Sequence, residues 1–432
     1  MHLNARFIGL AALLLIATTA AVLLVGTRGF DRDTPLAFPE LEGFGSKTIG
    51  GRGGQILKVT SLADAGEGTL RWALEEVEGP RIVVFDVSGV ITLSKQIEIK
   101  GDVTVAGQSA PAGVTIAGGR LRVVESNVIL RGLRIRPGDG PGASAQSRDA
   151  ISIGTPDKTV SRVVIDSNSL TWAIDENLSI WGDVRDVTIS RNIIAEALDA
   201  AGHDKGDHSM GLLIGGGDIK RITIVDNLFA HNRHRNPTIK GQSNQVEFVN
   251  NLVYNWGANG FEAKSGSIHL LGNVYLDGPD TADKPPIRLA GKKSEARYYL
   301  SDNFGEATPQ HRIQAEPVFR ESGVQVHAME DVEAHVLARA GARQPELDAI
   351  DSRIVETVTT RTGRIINSQE EVGGYITVRD SRAPPDHDND GIPDVVEREL
   401  GSNPLAFDSN DRSTRSDPTH IERYLNRMVE SL

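Results

Sequence analysis

The sequence predicts an all-β solenoid with a small α-helical C-terminal extension, and three observations carry that expectation. From Ala37 to about Asn303, short runs rich in Val and Ile are broken by Gly, Asn and Asp, with almost no helical periodicity. Six of these runs end on the same residue: VVIDSN at Asn168, VTISRN at Asn192, ITIVDN at Asn227, VEFVNN at Asn251, IHLLGN at Asn273 and YYLSDN at Asn303. The separations of 24, 35, 24, 22 and 30 residues recur in the low twenties with insertions, as stacked coils with loops of variable length do. A β-sandwich does not usually repeat one strand-plus-asparagine phrase in this way.

Taken in order, the chain begins with one Arg and an unbroken apolar or small-residue run from Ile8 to Val25, an export signal within residues 1–28. Cleaved near Thr19 to Ala21 it would be a signal peptide; uncleaved, it is just long enough to anchor the chain in a membrane. Either way the rest is expected outside the cytoplasm: secreted, periplasmic or at the cell surface. With no cysteine, disulfides, thiolate metal sites and a lipid-bearing cysteine are all excluded. A net charge of −12, from 46 basic and 58 acidic residues, argues against bulk affinity for nucleic acid. A polyanionic ligand would need a local basic patch or bound cations. A monomer is expected.

Residues 37–316 form the predicted solenoid. The inward members of each strand, such as Val187 and Ile189, Ile222 and Ile224, Val246 and Phe248, would make a continuous core, and the turn asparagines would hydrogen-bond from coil to coil. Outward positions, among them Asp166, Ser190, Glu247 and His269, would then be free for function. Arg71 to Val77 is the one helix-like stretch within the repeats. In the segment 317–381, Met329 to Ala340 and Asp348 to Thr360 read as amphipathic helices that cover a side or end of the solenoid. Arg382 to Pro385 opens a tail, 382–432, that ends in a helix at Thr419 to Glu430.

Three clusters carry chemistry. In the tail, Asp386, Asp388, Asp390, Gly391, Asp394 and Glu397 follow the calcium-loop spacing D-x-D-x-D-G-x5-E, with the glycine at the sharp turn. Pro393 favours an isolated loop over a paired helix-loop-helix hand, so the role is structural. In the solenoid, Asp149, Asp166 and the pair Asp175 and Glu176 could share a hard cation between coils or act as a general acid and base. The basic cluster is Arg233, Arg235 and Lys240, with Lys205 in GHDKGDH. His203 and His208 flank Lys205 without a third histidine or thiolate at zinc spacing.

These phrases together resemble the pectate lyases of the right-handed parallel β-helix superfamily, family 1-like and especially its bacterial group. The likeness runs through AFPELEGFGSKTIGGRGGQILKVTSLADAGEGTLRWAL, GPRIVVFDVSGVITL, VILRGLRIRPGD, VVIDSNSLTW, IDENLSIWG, RNPTIKG and GRIINSQEEVGGY, nearly all of the exported chain. The resemblance implies calcium-dependent β-elimination of polygalacturonate or a related acidic polysaccharide. On it, Arg235 is the base of an R-x-P motif with Pro237 in place, Lys205, Lys240 and Arg233 bind substrate, and Asp166 and Asp175 ligate calcium. Ser179 stands where many members carry a second acid, so Glu176 or Asp149 would supply that oxygen. Lys240 stands where many carry arginine, which keeps the charge and loses the bidentate grip. An arginine base implies an alkaline optimum, because a free guanidinium holds its proton. Two other readings stay open: a β-helix hydrolase, of which GHD at Gly202 to Asp204 is a partial echo, and a non-catalytic glycan-binding or adhesive solenoid.

Overall fold

One coil has too few residues to bury its own apolar face, so its strands persist only where the next coil stacks on them. The computed structural model describes residues 35–241, 244–290, 296–305, 307, 313–414 and 416–430. The export segment expected over residues 1–28 lies outside the described residues. Among the described residues no helix is long and apolar enough to cross a membrane.

Stacking produces three parallel sheets. The first runs in chain order through ten strands, from Gln55–Val59 to Ala296–Ser301. The second has eight, from Gly89–Thr92 to Val274–Leu276, and the third eight, from Ile97–Ile99 to Ile287–Leu289. A coil visits them in turn, as Val160–Asp166, Ser169–Thr171 and Glu176–Trp181 do, so each strand pairs with its counterpart one coil away. Parallel crossovers of this kind are right-handed. Columns of apolar side chains follow from the register: Val163, Val187, Ile222, Val246 and Ile268 stack and are all fully buried.

The asparagines hold the corner between the first and second sheets. The backbone N–H and side-chain Nδ2 of Asn168 both donate to Oδ1 of Asn192, at 2.9 and 3.1 Å, and the same pair of bonds links Asn192 to Asn227, then Asn251, Asn273 and Asn303. The residue before each takes a left-handed backbone, from Ser167 (φ 55°) and Arg191 (φ 53°) to Asp226 (φ 57°). The helix-like stretch near Arg71 is a single wide turn, Trp72–Glu76.

The rest of the chain covers two sheets. Helices α1 (Met329–Arg339) and α2 (Ala349–Thr360) bury Val332, Val336, Ile350, Ile354 and Val358 against Ile193, Leu228 and Leu252 of the second sheet. Buried Arg136 fastens α2 by reaching Asp348 at 2.6 Å and Asp351 at 2.7 Å. Helix α3 (Asp394–Leu400) follows the acidic loop, and α4 (His420–Glu430) lays Ile421 and Leu425 on Ile82, Val84 and Ala106 of the first sheet. Two extended segments cross the same face. Gly45 N–H donates to Thr188 Oγ1 (2.9 Å), Val318 N–H to His269 Nε2 (3.0 Å) and Ser322 N–H to Glu247 Oε1 (2.9 Å).

This corrects the reading of Asp166, Ser190, Glu247 and His269 as free outward positions: they point outward and are buried beneath these segments. Alternation reveals a strand's sides and says nothing of what a distant segment lays over them. The helices take their apolar partners from the first and second sheets. On the third, Trp181 stays 50 % exposed.

Candidate active site

The corner between the second and third sheets aims Arg235. Asn232 Nδ2 donates to the Ile194 carbonyl (2.9 Å), and its Oδ1 accepts from Asn177 (3.2 Å) and from the Ala197 N–H (3.0 Å). The carbonyls of His234 and Arg235 accept from the N–H groups of Gly211 (3.0 Å) and Leu212 (2.6 Å), and Lys240 N–H donates to Ile214 O (2.8 Å). Both sides of Arg235 are thus sewn to the preceding coil, while Arg235 itself takes a left-handed backbone (φ 61°). Its Nη1 contacts Glu176 Oε1. Burial lowers the Arg235 pKa from the usual arginine value, although Asp175, Asp149 and Glu262 pull the other way.

Asp149 precedes strand Ile151–Ile153, and Glu176 opens the strand paired with it, one residue after Asp175, so adjacent coils bring the three carboxylates together. One oxygen of each lies within 4.8 Å of the others. Burial pushes the Asp149 pKa up to about 6, with Asp175 adding and Arg120 opposing. Ser179 Oγ donates to Asp149 at 2.8 Å, so the residue found in place of an acid supports one instead. For Asp175 burial also raises the pKa but is outweighed by the His208 hydrogen bond (2.8 Å) and the charges of His208, His203 and Lys205, leaving it below the usual range. Such a group suits a hard divalent cation, whose ligands are carboxylate oxygens.

His203 and His208 stack at 3.9 Å and both face Asp175, a third partner that sequence spacing did not reveal. His203 Nδ1 accepts the Lys205 N–H (3.1 Å), and its Nε2 stands 3.8 Å from Asp175, beyond hydrogen-bond reach.

Beside Arg235 a cavity of about 210 Å³ is lined by Arg233, Lys240 and Lys264 among others. Lys205 is exposed and close enough to act on the charges of both Asp175 and Lys240. Arg233 lines the cavity, yet its guanidinium is held by Asp199 (2.6 Å) and Asp207 (3.1 Å), so its charge is largely spoken for. Two residues at this site escaped sequence reasoning. Glu262, buried one coil beyond Thr238, gathers Arg288 (2.6 Å) and Lys264 (3.4 Å); its signal was an acid at an outward position of FEAK. Trp181 pairs with Gly215 in the ladder, and its indole lies over Gly216.

Two expected ligands fall elsewhere. Asp166 ends a strand of the first sheet, fully buried, with Arg131 (2.8 Å), Arg191 (2.9 Å), Ser190 (2.7 Å) and Ser167 (3.0 Å) around its oxygens. Burial opposes its charge, but Arg191 and Arg131 outweigh it and hold the pKa low. Phe38 covers the Arg131 guanidinium at 3.8 Å, so Asp166 fastens the N-terminal segment and does not join the other acids. In the tail, Asp386, Asp388 and Asp390 converge, and Asp390 also meets Glu397 and Asp408. Asp394 is the exception: it begins α3 and turns back to the N–H (2.9 Å) and Nδ1 (2.5 Å) of His387. Asp408, beyond the motif, takes its place. Both oxygens of buried Glu397 and one each of Asp386, Asp388 and Asp390 lack a hydrogen-bond partner among the described residues. Burial with crowding by Asp390 and Asp388 drives Glu397 up to about 7. Gly391 (φ 92°) makes the sharp turn, and its N–H donates to Asp386 (2.9 Å).

No protein-family model matches the chain. A probable pectate lyase C of Aspergillus flavus is 34 % identical over 423 residues, 92 % of this chain and 94 % of that protein. Another, of Neosartorya fischeri, is 32 % identical over 444 residues, covering 95 % and 99 %. Among solved structures, the cedar pollen allergen jun a 1 superposes with a TM-score of 0.54 at 20 % identity, over 70 % of this chain and 92 % of that one. A pectate lyase bound to a hexasaccharide does so at 0.52 and 16 % identity, over 72 % and 99 %.

Proposed function

The chain belongs to the pectate lyase family, a family of polysaccharide lyases, and from that premise we propose that it is an exported, calcium-dependent lyase that opens α-1,4-linked polygalacturonate with Arg235 as base. The observation that carries this reading is the meeting of Arg235 and Lys240, from one coil, with Asp149, Asp175 and Glu176 from earlier coils beside a basic cavity. Asp149, Asp175 and Glu176 would hold the cation, which when bound neutralises the uronate carboxylate and makes the neighbouring C5 proton easier to remove. Lys240 and Lys205 offer ammonium groups to the same carboxylate. Arg235, with its own proton first lost to solvent, takes the C5 proton in its neutral form. The electrons of that bond form the C4–C5 double bond while the bond from C4 to the glycosidic oxygen breaks, and the leaving oxygen gains a proton from water. Trp181 supplies a flat apolar face, of the kind that sugar rings stack on, one coil pairing from Gly215.

A second calcium is proposed for the tail, held by Asp386, Asp388, Asp390, Glu397 and Asp408, where the unpartnered buried oxygens support it. Its role is to lock α3 and α4 onto the first sheet. Export rests on the apolar run Ile8 to Val25 and would place both sites where free calcium is plentiful.

The test is purified protein on polygalacturonate, followed by the ultraviolet absorbance of unsaturated uronates, with chelator and with calcium restored. Activity should vanish and return. New reducing ends without that absorbance would point to a hydrolase, and binding without depolymerisation to an adhesive solenoid. Arg235→Lys should lower turnover by roughly 10²- to 10⁴-fold, the usual worth of a positioned base, with polygalacturonate binding retained. Substantial unsaturated product from this variant removes Arg235 from that role.

A further inference from the structure

Far from the third sheet, at the corner between the first and second, three side chains from separate parts of the chain converge. Asp226 precedes ladder residue Asn227 at the turn, His327 ends the segment that crosses the first sheet, and His335 lies on α1. One ligand atom from each lies within 4.8 Å of the others. We propose that Asp226, His327 and His335 form a binding site for a divalent transition metal of the zinc type, which staples the crossing segment and α1 to the solenoid.

The distances favour a shared ion over direct bonds. His335 Nε2 stands 3.4 Å from Asp226 Oδ2, and His327 Nε2 stands 3.7 Å from Asp226 Oδ1. Both exceed the roughly 3.2 Å limit of a good N–H···O bond. They approach the separation of about 3.3–3.4 Å between ligand atoms set tetrahedrally at zinc–ligand distances of about 2.0–2.1 Å. Neither Asp226 Oδ1 nor His335 Nε2 has a hydrogen-bond partner among the described residues, although both atoms are buried.

The ligands are also held in place. Asn250, at the next turn of the ladder, accepts the His327 N–H (3.1 Å) and donates to the Gln325 carbonyl (2.9 Å). Buried Val332 and Val336 fix α1 and with it His335. The cavity at the site, about 210 Å³, is also lined by Glu40, Glu42, Arg191 and Arg339. Arg191 pairs with Asp166 and also interacts electrostatically with Asp226, and the two glutamates offset the arginines. Imidazole and carboxylate ligands with an open position describe zinc, cobalt or nickel chemistry better than calcium, which prefers oxygen alone.

The test uses the full chain with excess calcium, which occupies the all-carboxylate sites. Because Asp175, His203 and His208 are a second grouping of the same residue types, the parent for this experiment is His208→Ala. Zinc titrated into it should bind once per chain and raise the melting midpoint by a few degrees, and cobalt should give an intense visible band of low coordination number. His335→Ala and Asp226→Asn, each added to that parent, should abolish all three effects while retaining the far-ultraviolet circular dichroism of the fold. If His335→Ala misfolds, His327→Gln serves the same purpose on a more exposed residue. Zinc binding that survives these substitutions overturns the proposal. So does an absence of zinc binding in the parent, in which case a lower melting midpoint for His335→Ala without metal would mark the group as an ion pair.

Discussion

Trp181 keeps half its surface open on a polar face because Gly215 and Gly216 leave room for the ring; a Cβ on Gly216 would stand 2.4 Å from the indole. Trp181→Ala should therefore raise KM for polygalacturonate by roughly 5- to 10-fold, about 1–1.5 kcal/mol of stacking, with little change in kcat. Gly216→Ala should reproduce the effect by displacing the ring, and a fall in kcat alone from either variant would count against a platform. Neither residue could be singled out beforehand, since an exposed tryptophan has meaning only beside the glycines of the next coil. Arg235 and Lys240 were legible because the motif that carries them is contiguous. Asp166 was misread for the converse reason: its strand phrase matched, but Arg131 and Arg191, from the coils on either side, had already claimed its carboxylate.

Among the elements, the asparagine ladder and the acidic loop do different work. Asn227 accepts from both nitrogens of Asn192, and its Nδ2 bonds the Ile189 and Val225 carbonyls, so Asn227→Ala leaves the buried Asn192 N–H without its acceptor and takes a donor from two buried carbonyls, while the backbone N–H of residue 227 still reaches Asn251. Each such group costs about 1–3 kcal/mol, and thermal unfolding should show the loss with the catalytic rate of the folded fraction unchanged. Glu397→Gln should remove most of the calcium-dependent rise in melting temperature and leave the rate of elimination intact; an equal loss of activity would tie the tail to catalysis. The coils and both flanking helices were readable from the spacing of Asn and of apolar residues, because each is a local pattern. The exchange of Asp394 for Asp408 was not, because it depends on the path of the chain between α3 and α4.

For the molecule as a whole, one joint between the layer of helices and the solenoid is made by a buried histidine. His231, on the coil that carries Arg235, accepts at Nδ1 from Asn255 (2.8 Å) and meets Thr357 of α2 through Nε2 (2.8 Å). Burial lowers its pKa from 6.5 to about 4, helped by Arg353 and opposed by Glu196 and Asp280. The neutral ring is the folded form, so its stabilisation is complete above pH 6.5 and is lost as pH falls toward 4. The loss is on the order of 3 kcal/mol, and His231→Gln should show a flatter decline of melting midpoint across that window.

The parallel register has a consequence for the length of sugar chain the molecule can address. Successive strands of the third sheet lie about 4.8 Å apart whatever loops join them, so the side chains above them are graduations on a fixed scale. Ser152, Ser179, Leu213 and Thr238 mark consecutive divisions between Asp149 and Lys240. Adding or removing one whole coil would shift Asp149 relative to Lys240 by one division and leave every column of the interior matched. In this architecture, re-gauging the groove is a matter of counting turns.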